Sequence, residues 1–63
     1  MSNNALWWVT YTDQATNFRE VLSLSSPDLK DPRKATRRAL ATAKARLKRK
    51  GVKAVITRVQ CVG

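Results

Sequence analysis

The chain has 63 residues, enough for one domain with one thin core. Thirteen Lys and Arg against four Asp and Glu give a formal charge of +9, an excess that asks for a polyanionic partner. With no His, one Cys and four scattered acids, the sequence offers neither a cluster of metal ligands nor a pair of carboxylates, and it points away from an enzyme and from any cofactor.

Met1 to Asn4 is polar and without periodicity, so residues 1–4 read as a flexible tail and 5–63 as a single domain. Leu6 to Thr12 is rich in aromatic and β-branched residues and predicts a first strand that stops at Asp13-Gln14-Ala15-Thr16. Neighbours in a strand point to opposite faces, which sends Trp7, Val9 and Tyr11 to the core and Trp8 to the other side of the sheet. Phe18 to Leu24 predicts a second strand, ended by the turn-like run Ser25-Ser26-Pro27-Asp28.

Asp31-Pro32 is a helix start, since Asp caps the first free amides and Pro suits the first helical position. No Gly or Pro interrupts the chain from there to Lys50, and Gly51 follows where a left-handed residue closes a helix. At about 100° per residue, Thr36, Ala39, Leu40, Ala43 and Leu47 share a stripe that should pack on the sheet. Val52 to Val62 predicts a last strand with Val55, Val59 and a buried, structural Cys61 on the core side and Ile56, Arg58 and Gln60 on the other. The fold expected is α+β, a single small β-β-α-β domain whose three-stranded sheet carries one basic helix on one face, with Leu40, Ala43 and Leu47 against Trp7, Val9 and Val55. Because a helical connection favours parallel pairing, the sheet is expected to be mixed, with the last strand beside either of the others.

Arg33, Lys34, Arg37, Arg38, Lys44, Lys48 and Arg49 fall on the arc of the helix away from that stripe. A charge run is by default a solvated face, but such faces mix signs, and here no acid follows Asp31. Arg33/Arg37, Lys34/Arg38 and Lys44/Lys48 repel at one-turn spacing, and Arg33, Lys34 and Arg37 oppose the helix dipole. Ala41 and Ala45 inside the arc leave room for a close partner. These features point to phosphate contacts made without base readout, hence to sequence-nonspecific binding of DNA or RNA.

The element order, the aromatic start Trp7-Trp8 and above all the ending Ile56-Thr57-Arg58-Val59-Gln60-Cys61-Val62 resemble the small inhibitor of host RNA polymerase made by T-odd coliphages. The resemblance implies a bacteriophage origin, the cytoplasm of a bacterial host cell, and inhibition of host RNA polymerase or another nucleic-acid enzyme by direct protein contact. Arg58 matches the family's binding arginine, whereas Gln60 stands where the family has a second arginine. The family's helix is acidic where Arg33 to Lys50 is basic, so its acidic contact surface does not carry over. On this alternative, Arg58 and Trp8 meet an acidic surface of the host protein. The longest uncharged apolar run, Ala5 to Val9, is too short for a secretion signal or membrane span, so no membrane partner is expected; self-association as a homodimer stays open.

Overall fold

The computed structural model describes residues 4–27 and 29–63. The elements follow the expected order: β1 (Asn4–Asp13), β2 (Arg19–Pro27), α1 (Pro32–Arg49) and β3 (Ala54–Cys61). The tail reading of residues 1–3 and the Asp28 end of the second turn lie outside the described residues. Asn4, assigned to the tail, opens β1 and pairs with Pro27.

The sheet order is β2-β1-β3, and both pairings are antiparallel. It is therefore not the mixed sheet expected. The strands joined by the helix do run the same way, as a crossover favours, but β1 lies between them, giving a split β-α-β arrangement. The β2 strand also runs on through Ser25, Ser26 and Pro27, which look like a turn in sequence. An edge strand tolerates a proline at its end, and pairing with Asn4 to Leu6 holds the segment extended.

The β1–β2 turn is tied at Asp13, whose carboxylate accepts from the Ala15 amide at 2.9 Å and whose carbonyl accepts from the Asn17 amide at 2.7 Å. Asn17 takes the left-handed conformation that its short polar side chain tolerates, with φ 61°. The helix begins as expected, with Asp31 Oδ1 accepting from the Arg33 amide at 2.9 Å and Pro32 in the first turn. It closes in a Schellman turn: the Gly51 amide donates to Lys48 O at 3.0 Å and the Val52 amide to Leu47 O at 2.9 Å, with Gly51 at φ 73°.

The core lies between α1 and one face of the sheet, built from Ala5, Trp7, Val9 and Tyr11 of β1, Leu24 and Ser26 of β2, and Ala35, Ala39, Ala43 and Leu47 of α1. The packed stripe is thus one i, i+4 row. Ala35 replaces Thr36, which is exposed and donates to Pro32 O, and Leu40 is only half-buried. Such a row is inclined to the helix axis and can follow a twisted sheet, while its alanines let the helix backbone come down over Trp7 and Leu24.

The last strand departs from simple alternation. Thr10 pairs with Arg58 and Tyr11 with Ile56, so Thr57 is an extra residue, and its hydroxyl donates to Thr10 O at 3.3 Å. This bulge switches the parity of β3. Ile56 packs toward the core, and Val55, opposite Thr12, is 48 % exposed on the other face, the reverse of the expectation for both. Beyond the bulge Val59 turns inward and Arg58 and Gln60 outward, as expected. Cys61 sits opposite Trp7 yet is exposed rather than buried. The helix starts after β2 and ends before β3, so it crosses the sheet obliquely and leaves the far end of β3 uncovered.

Candidate nucleic-acid interface

Every cation singled out on α1 is exposed: Arg33, Lys34, Arg37, Arg38, Lys44, Lys48 and Arg49; Arg46 and Lys50, on the far flank of the helix, are exposed as well. Ala41 and Ala45 are exposed as well, so short side chains stand among the charges. Only the last-turn cations Arg46, Lys48 and Arg49 are favoured by the helix dipole, and the first turn holds no acid. The three acids of the described residues are held elsewhere. Asp13 ties the β1–β2 turn and Asp31 caps the helix. Glu20 Oε2 accepts from the Tyr11 hydroxyl at 3.3 Å. Burial, then the charge and hydrogen bond of Glu20 and the charge of Asp13, raise the Tyr11 pKa above its ordinary value.

Trp8 and Arg58 share the open face of the sheet. Trp8 stands opposite Ser23 on one side and Gln60 on the other, and Arg58, opposite Thr10, is its diagonal neighbour. Its partner Ser23 is small, and Trp8 is left 46 % exposed, on the same face as the exposed Leu6 and diagonal to the exposed Val21, which stands opposite Thr10. The split between a buried Trp7 and an exposed Trp8 is as the alternation predicts.

A groove of about 640 Å³ runs along the uncovered margin between α1 and β3. Leu40, Leu47, Ile56 and Val59 are among its apolar lining, and Lys44, Lys48 and Arg58 bring cations to it. Among the described residues no carboxylate lines it. The lining of the groove includes Lys44 and Lys48 of the basic ridge and Arg58, which stands on the same sheet face as Trp8. Sequence reasoning missed it because it depends on the oblique path of α1 and on the Thr57 bulge. The only sequence signal is the three-residue step from Ile56 to Val59, which breaks the period of two.

Comparison of the chain with protein-family models, curated proteins and solved structures returns no match. Among the described residues no helix is long and apolar enough to cross a membrane.

Proposed function

We propose that the protein is a non-enzymatic nucleic-acid-binding module that holds phosphates on the outward face of α1. One observation carries this reading: the seven ridge cations are all exposed, α1 contains no acid, and the carboxylates of Asp13, Glu20 and Asp31 are occupied in turn, strand and cap contacts. A solvated helix face gains from interspersed acids at one-turn spacing, whereas this face keeps repulsions of about 0.2–0.5 kcal/mol per pair, which phosphate contacts relieve.

Phosphate contacts position a protein without reading bases, so affinity for unrelated duplexes should be alike. Neutralising four to six phosphates gives a log–log salt slope of roughly −4 to −5. Reversing Arg37, Lys44 and Lys48 to Glu should weaken duplex binding at least about tenfold and flatten that slope by roughly three, with the circular dichroism spectrum retained because all three are exposed. Anisotropy titrations at several salt concentrations check this. A flat salt response, or a triple variant that binds as well as the native chain, overturns the reading and leaves an acidic protein surface as the partner.

A further inference from the structure

A duplex lying on the outward ridge engages Lys44 and Lys48 at the rim of the β3 groove but leaves the groove's apolar lining and the exposed Trp8 unused. We infer that the α1–β3 margin, together with Trp8, is a track for single-stranded nucleic acid that takes a few unpaired nucleotides. The inference rests on the nucleic-acid reading above and names the substrate class of a second part of the same surface.

Size and charge select this occupant. The groove, about 640 Å³, has room for an unpaired base or sugar against Leu40 and Ile56, whereas a base inside a duplex keeps its flat face stacked on its neighbours and out of reach. Lys44, Lys48 and Arg58 bring three positive charges to it with no carboxylate among its described lining, which suits phosphates. Arg58 also borders the face of Trp8, so a strand leaving the groove over the edge of β3 arrives beside the indole. There Trp8 is 46 % exposed with only the small Ser23 opposite it on β2, and the amide of Gln60, opposite it on β3, has both a donor and an acceptor for a base edge. An aromatic face next to cations is the arrangement by which proteins hold single strands without sequence preference, because every base has a stacking face.

The test compares a fluorescent oligothymidylate of about ten nucleotides with an unrelated duplex, using the full chain and its Trp8→Ala and Trp8→Phe variants. Trp8→Ala should weaken oligothymidylate binding about tenfold while duplex affinity stays within about twofold. The native tryptophan emission should fall on adding unlabelled oligothymidylate, and Trp8→Phe, which keeps a ring at that position, should abolish the change because Trp7 is buried. Circular dichroism establishes that each variant is folded. Three results overturn the track while the ridge reading stands: duplex binding without oligothymidylate binding, equal losses for both nucleic acids in Trp8→Ala, or an unquenched native emission. Failure to bind either nucleic acid at low salt overturns the ridge reading, and the track with it. Tighter binding of a glutamate- and leucine-rich peptide than of oligothymidylate, lost in Trp8→Ala, overturns the track in favour of an acidic protein partner.

Discussion

The two long sides of α1 use alanine for opposite purposes. On the packed side Ala35, Ala39 and Ala43 bring the helix backbone down onto Trp7, Val9 and Leu24, so close approach supplies contacts that a thin core cannot draw from large side chains. On the outward side Ala41 and Ala45 touch no core and leave gaps among the cations. The packed row carries no charge and the outward arc carries no acid. In so small a domain, stability can be drawn from one side of the helix while the other is left with repulsions that only a partner relieves.

The sharpest way to break this contrast is to place the same carboxylate on each side. Ala39 is fully buried, and Ala39→Asp should cost roughly 3–5 kcal/mol, about the whole stability of a domain of this size, so the variant should be unfolded at room temperature by circular dichroism. Ala41→Asp lies only two residues away but is exposed, three or four positions from Arg37, Arg38 and Lys44. Its melting temperature should hold or rise by the equivalent of about 0.2–0.5 kcal/mol per new pair, while nucleic-acid affinity falls. A folded Ala39→Asp would mean that the packed row is misassigned.

A second contrast separates the half of the fold legible in the sequence from the half that is not. Asp31-Pro32 and Gly51 mark the helix ends through conformations that few other residues supply, and strict alternation through β1 parts Trp7 from Trp8. These are local constraints, and they were readable. The choice of Ala35 over Thr36, the antiparallel order β2-β1-β3, and the run of β2 through Pro27 depend on how distant elements meet. The ridge residues belong to the first kind, the groove to the second.

The Thr57 bulge is the smallest of these long-range features and the easiest to check. Plain alternation puts Val55 inside and Ile56 outside; the bulge reverses both. Ile56→Asp should therefore cost about 2 kcal/mol or more in urea denaturation, and Val55→Asp within about 0.5 kcal/mol. If the two costs came in the opposite order, β3 would have no parity switch and the groove floor would be rebuilt.

An effect smaller than that of Ile56→Asp is expected on the packed side itself, at the buried hydroxyl of Ser26. Ser26 is 1 % exposed, opposite Ala5, and among the described residues its hydroxyl has no hydrogen-bond partner; the indole N–H of Trp7 is likewise buried without one among them. Burying an unpaired hydroxyl forfeits its hydration, so Ser26→Ala removes a penalty and loses little volume. The urea midpoint should rise by the equivalent of about 0.5–1 kcal/mol with an unchanged m-value, and the salt slope of duplex binding should stay the same, since Ser26 touches no part of the ridge. A loss of more than about 1 kcal/mol would show instead that the hydroxyl is satisfied in solution. Pairing with the indole of Trp7 would then be diagnosed by a double-mutant cycle with Trp7→Phe: a coupling above about 0.5 kcal/mol joins the two groups, and additivity keeps them apart.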